Sequence, residues 1–219
     1  MKRRTLLLSP ALAALVAAQP AAAQQYQPDI IELNGNFPVF FDPDPALTIA
    51  DGGTLEFWVQ PDWTSTPDFE PVILSNTGPQ GVSYLIAMLP DRQGIVLYSG
   101  DDDYVFMFDF SDGKMHHVAL NVFEDGLNML VDGENVGEYD ASLADLPSGG
   151  LFVGSIDGEE DPFFGAMASL RIWNYVLDRS TVLNYAIRDV VLSDHPELDS
   201  LSALSDFNSE TLLILEEIN

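Results

Sequence analysis

Residues Asp112 to Asp178 read DGKMHHVALNVFEDGLNMLVDGENVGEYDASLADLPSGGLFVGSIDGEEDPFFGAMASLRIWNYVLD. Val118, Leu120 and Val122 alternate with His117, Ala119 and Asn121, the period of two of a half-buried strand. Glu124-Asp125-Gly126 interrupts the alternation. Leu127, Met129 and Val131 resume it, and Asp132-Gly133 breaks it again before Val136 and Tyr139. Asp-Gly supplies the positive backbone angle that tight hairpins require, so both breaks predict hairpins and the stretch predicts an antiparallel meander. Pro147 to Gly150 predicts a further turn and Leu151-Phe152-Val153 a strand. Asp157 to Pro162 is an acidic loop, and Met167 to Trp173 predicts one more strand.

The same pattern extends upstream. Ile30 to Leu33, Phe37 to Phe41, Leu55 to Val59, Val72 to Leu74, Tyr84 to Met88, Gly94 to Tyr98 and Tyr104 to Phe108 are short apolar or alternating runs separated by Gly, Pro and Asp. Evenly spaced strands of this kind predict an all-β fold, a two-sheet antiparallel sandwich or jelly roll. The one helix signal comes late: Asp178 is placed to cap a short helix from Arg179 to about Arg188, with Val182, Leu183 and Ala186 as its buried stripe. Leu201 to Leu204 and Thr211 to Leu215 are apolar enough to dock as an edge strand or as a small extension.

The first residues have the marks of a signal peptide over residues 1–23. Lys2, Arg3 and Arg4 form a positive head, Leu6 to Ala18 is apolar but too short for a membrane-spanning helix, and Ala21-Ala22-Ala23 precedes the expected cleavage before Gln24. A membrane-anchoring helix is the alternative for this segment. The expectation is an exported protein, periplasmic or secreted, with no membrane span in the mature chain. The remaining length suits one large β domain over residues 24–192, with residues 193–219 as an extension packed on it. The chain has no cysteine, so its core or a bound metal must hold it without disulfides.

Charge excludes some partners. The chain carries 8 Lys+Arg against 35 Asp+Glu, a formal charge of −27, and loss of the leader removes three of the cations. No basic patch is available for nucleic acid or an anionic membrane. Two explanations of the acidity stay open: a solvated acidic surface, or carboxylates collected into a calcium site.

Four segments resemble the concanavalin A-like lectin/glucanase superfamily, in particular its laminin-G-like and pentraxin-like branch. Leu55-Glu56-Phe57-Trp58-Val59-Gln60-Pro61 is similar to an early strand of the family. Asp112-Gly113-Lys114-Met115-His116-His117-Val118-Ala119 is similar to its "DGKWHHVA" element, with Met115 where Trp is usual. Met129 to Gly133 resembles its "LYVDG" hairpin. Phe164-Gly165 with Leu170 to Asn174, followed by Val176-Leu177-Asp178, resembles its closing "VRIWN" strand. The resemblance implies a jelly-roll sandwich that binds glycans or proteins, often with calcium, and a structural role for His116 and His117. Those two histidines face opposite sides of a strand and so cannot share a metal.

Asp157, Glu159, Glu160 and Asp161 are the candidate calcium donors, because calcium takes six to eight hard oxygens and the resemblance puts an acidic calcium loop in a similar place. The family's acidic residue before the "VRI" strand is missing: Ala166 to Ser169 offers no carboxylate. Asp101-Asp102-Asp103 is the second calcium candidate, also expected in a loop, and solvated turns are the alternative for both. Tyr98, Asp101, Asp103 and Tyr104 are the candidate ligand-binding residues, since sugar recognition needs rings to stack on and polar groups for hydroxyls. Trp63 is a third exposed-ring candidate, whereas Trp58 and Trp173 sit inside strands and are expected in the core. The glucanase-type E-x-D-x-x-E pattern is absent, as are G-x-S-x-G, H-E-x-x-H and phosphate-loop motifs. The expectation is therefore a non-catalytic exported module for an extracellular glycan or protein. The alternatives are a structural or adhesive surface protein and, behind it, a polysaccharide hydrolase.

Overall fold

A computed structural model describes residues 29–35, 39–50, 52–189, 194–207 and 213–214. The expected leader, residues 1–23, lies outside them, as do Phe37 and parts of the C-terminal extension. Among the described residues no helix is long and apolar enough to cross a membrane.

Two antiparallel sheets face each other. The larger contains β1 (Ile30–Asn34), β3 (Gly53–Pro61), β8 (His116–Phe123), β9 (Gly126–Val131), β10 (Glu134–Tyr139), β12 (Phe164–Trp173), β13 (Leu201–Ser205) and β14 (Leu213–Ile214). Its order is β10-β9-β8-β3-β12-β13-β14, with β1 also paired to β12. The smaller runs β2-β11-β4-β5-β6-β7, from β2 (Val39–Phe41), β11 (Leu151–Val153), β4 (Val72–Gly78), β5 (Gly81–Met88), β6 (Gly94–Ser99) and β7 (Asp102–Met107). This is the two-sheet jelly-roll sandwich that the strand spacing predicts.

Alternation places the core. Leu55, Phe57 and Val59 of β3 and Val118, Leu120 and Val122 of β8 point inward, to meet Ile73, Tyr84, Ile86, Leu97 and Phe106 from the other sheet. The expected half-buried character of β8 needs correction. His117, Ala119 and Asn121 on its outer side are also buried. The chain from Tyr175 onward covers them: Asn121 donates to the Leu177 carbonyl, and Thr54 donates to Tyr175 and accepts from the Leu177 amide.

Only one of the two Asp-Gly breaks uses left-handed backbone. Asp132 (φ 49°) and Gly133 (φ 74°) turn β9 into β10, whereas Gly126 lies outside that region. The first hairpin turns at Glu124-Asp125 instead, and Gly126 opens β9.

Asp178 caps α1 (Arg179–Tyr185), its carboxylate accepting from the Ser180 and Thr181 amides. Val182 and Ala186 are buried as expected, but Leu183 is exposed; Thr181 takes the inward place. Leu183 drapes over the Gly133 turn rather than entering the core. The C-terminal extension supplies β13, which continues along the same side of β12 that β1 occupies further down, and β14 beside it. Where the two sheets meet, Tyr139 of β10 donates to the Val105 carbonyl of the edge strand β7 at 2.7 Å.

Candidate functional site

Strand pairing builds one continuous row across the outer face of the smaller sheet: Phe40, Phe152, Ser75, Leu85, Tyr98, Asp103. Phe41, Leu151 and Val153 turn inward and are buried, so parity turns Phe40 and Phe152 outward. Phe40 is 42% exposed, and its ring centroid lies 4.4 Å from that of Phe152 at a 37° tilt. At the other end, Tyr98 donates its hydroxyl to Glu70 at 2.5 Å. Burial, the Glu70 hydrogen bond and the charges of Glu70 and Asp103 all push the Tyr98 hydroxyl pKa up, so it stays a donor. Three strand spacings, roughly 14 Å, separate Phe152 from Tyr98. The row therefore carries rings near both ends, with hydroxyl and carboxylate groups beside them.

The acidic loop reaches the same face. Beyond β11 the chain turns at Gly154 and tucks Ile156 against a small cluster of Val72, Leu85 and Ala87, which Tyr98 also joins. It returns beside β4, where the Val72 amide donates to the Asp161 backbone carbonyl. Asp157 accepts from the Glu159 and Glu160 amides, which lower its pKa. That carboxylate closes the turn on itself. Among the described residues no three His, Asp or Glu side chains come together as a metal ion would need.

The four ligand-binding candidates are divided. Tyr98 and Asp103 are cross-strand partners on the outer face. Tyr104 is paired with the inward-facing Leu97, and it packs against the core with its ring 5.2 Å from Tyr139. Asp101 lies in the tight turn after Gly100 (φ 59°), and Asp102 and Asp103 belong to β7 rather than to a loop. Trp63 is half-buried: it packs edge-on against Phe163 and donates to the Pro90 carbonyl. Phe40, Phe152 and Glu70 were not among the sequence candidates. The inward flanks Leu151 and Val153 are the signal that would have pointed Phe152 outward.

The other sheet's outer side holds a buried polar network. Glu56 accepts from Arg171 (3.2 Å) and Trp173 Nε1 (3.1 Å) on one oxygen, and lies 3.2 Å from His117 Nε2 on the other. Burial alone would raise the Glu56 pKa, but the His117 hydrogen bond and the Arg171 charge outweigh it and lower it to about 2. Arg171 also donates to the Tyr185 and Arg188 carbonyls, which fastens the end of α1 to the sheet. Trp173 is fully buried as expected, in a cluster beneath α1 rather than between the sheets, while Trp58 is only half-buried. His116 faces the opposite way, between Asp132 (2.7 Å) and Asp112 (3.0 Å), so the two histidines occupy separate environments. Buried between the sheet and the end of α1, this network holds the fold and offers no surface to a ligand.

A family model, Laminin_G_3 of the concanavalin A-like lectin/glucanases superfamily, matches residues 34–183. No curated protein sequence matches the chain significantly. Among solved structures, a proposed carbohydrate-binding protein from Bacteroides ovatus is similar with a TM-score of 0.60 and 17% identity, over 81% of this chain and 53% of that one. The chain thus spans about half of that protein's length. The Ruminococcus gnavus sialidase module CBM40, solved with α2,3 sialyllactose, is similar with a TM-score of 0.52 and 13% identity, over 73% of this chain and 98% of that one. A pentraxin from Limulus polyphemus has a TM-score of 0.51 and 12% identity, over 84% of this chain and 93% of that one.

Proposed function

The chain belongs to the concanavalin A-like lectin/glucanase superfamily, and from that premise we propose that it is an exported, non-catalytic module that binds an extracellular glycan on the outer face of its smaller sheet. The observation that carries this is the Phe40–Phe152 ring pair in one cross-strand row with Tyr98. Partly exposed rings stack on sugar faces, and a positioned hydroxyl and carboxylates meet sugar hydroxyls. Ser75 and Leu85 between Phe152 and Tyr98 are buried, so the exposed groups stand as two patches roughly 14 Å apart, which an oligosaccharide rather than one sugar ring can bridge. Structural neighbours that are carbohydrate-binding modules on the same fold support the same role.

The test is a glycan array with the mature protein, the Phe40→Ala/Phe152→Ala variant and a chelator arm. Binding by the parent that the double variant loses, with its thermal unfolding retained, supports the site. Silence across all glycans, with self-assembly in solution, favours a structural or adhesive protein instead. Loss of binding on chelation assigns a calcium ion to recognition, with Asp157 to Asp161 as the segment to substitute next. Unchanged binding leaves recognition to the rings and hydroxyls.

A further inference from the structure

We infer that the glycan this face accepts is uncharged, and that uronate-, sialate- or sulfate-bearing chains are rejected; this rests on the glycan-binding role proposed above. An anionic sugar is held where an arginine or lysine pairs with it, since a buried or half-buried anion without a counter-charge loses its hydration for nothing in return. The described residues contain five such cations, and each is engaged away from the Phe152–Tyr98 row. Arg171 is buried against Glu56 on the opposite sheet. Arg179 binds Gly133 and Glu134, and Arg188 lies 3.6 Å from Asp194 and over Tyr185. Lys114 is paired with Asp112 at 2.7 Å. Arg92, in the turn between β5 and β6, lies over the Trp63 ring at 5.9 Å.

The row's own surroundings carry the opposite sign. Glu70 and Asp103 flank Tyr98, and both raise its hydroxyl pKa through their charge. Asp101 and Asp102 adjoin Asp103 at the strand end. The loop that seats Ile156 beside Tyr98 adds Asp157, Glu159, Glu160 and Asp161. Like charges brought together across an interface are a means of refusing a partner. Hydroxyls of a neutral sugar suit the same groups, because carboxylates accept hydrogen bonds and the Tyr98 oxygen, its proton given to Glu70, can accept another.

The test uses soluble mixed-linkage β-glucan, galactan and mannan, each beside its C6-oxidised, uronate-bearing form, with the mature protein at low and high salt. At least one neutral polymer is expected to bind, and its oxidised form at least roughly tenfold more weakly at low salt. The gap narrows as salt screens the carboxylates. The variant Asp101→Asn/Asp102→Asn/Asp103→Asn is expected to reduce the ratio between the two forms. An oxidised polymer that binds as tightly as its neutral parent, or a ratio indifferent to salt and to the triple variant, overturns the inference while leaving glycan binding in place. Silence of all six polymers together with a silent array overturns the binding role itself, and the inference with it.

Discussion

Trp173 and His195 lie stacked, ring centroids 4.3 Å apart and planes 19° from parallel, though one ends the long strand β12 and the other follows α1. Tyr185 closes on the same imidazole at 4.3 Å, and the Glu197 amide donates to its Nδ1. The stack fastens the C-terminal extension onto the sheet that carries Glu56.

Acid should loosen this fastening. Burial lowers the His195 pKa; the nearby Arg171 charge adds to this and Glu56 opposes it. A histidine with a lowered folded pKa contributes stability above its unfolded value of about 6.5 that is lost as pH falls toward the folded one. Urea unfolding is expected to show a midpoint that declines on acidification from pH 7. His195→Gln should flatten that acid limb, and a limb unchanged in the variant would refute the assignment.

His116 acts with the opposite sign. Burial would lower its pKa, but hydrogen bonds to Asp132 and Asp112 prevail and raise it above 6.5. Its contribution is complete below the unfolded value and disappears as pH rises through the folded one. His116→Asn is expected to remove an alkaline decline in stability. An NMR titration of the His116 ring in the parent should find a pKa above 6.5.

Glu56 and Arg171 are both about 1–2% exposed. Glu56→Gln or Arg171→Met alone leaves the other charge without its partner in the interior, with an expected loss of about 3–5 kcal/mol in chemical unfolding. Glu56→Leu combined with Arg171→Met should recover a large part of that loss, because no buried charge is then stranded. Additive losses in the double variant would show that the pair contributes through packing alone.

Glycine has different reasons at different positions. Gly165 has φ 149°, and a β-carbon there would lie 2.0 Å from the Gln60 carbonyl oxygen on the neighbouring strand. Gly113 has φ 74°, with nothing within 4 Å of an added β-carbon. Gly113→Ala is expected to lose about 1 kcal/mol from backbone strain alone. Gly165→Ala should lose about 3 kcal/mol or more, from strain and the clash with β3 together. Equal melting temperatures for the two variants would contradict this.

The strands were legible because alternation and turn residues are local signals. Leu55, Phe57 and Val59 declare their facing within five residues, and Asp178 declares the helix start within three. Burial of Ala119 and Asn121 was not legible, because the segment that covers them begins at Tyr175, far along the chain. Leu183 was misplaced for a related reason: its periodicity suits a buried stripe, but the surface under α1 accepts Thr181 and Val182. The site was partly legible. Tyr98 and Asp103 do share a face, yet Tyr104, one residue on, faces the core, and only the pairing of β6 with β7 reveals the parity. Phe40 and Phe152 come from strands more than a hundred residues apart, and no local pattern joins them.

The bond from Tyr139 to the Val105 carbonyl has a consequence for behaviour at high concentration. A bare sheet rim is a template on which another chain can add itself and begin a fibre. Here one of the outward acceptors on that rim is already occupied, and Asp102 and Asp103 put negative charge along the same border. Crowded copies of the molecule therefore find that border a poor place to start polymerising.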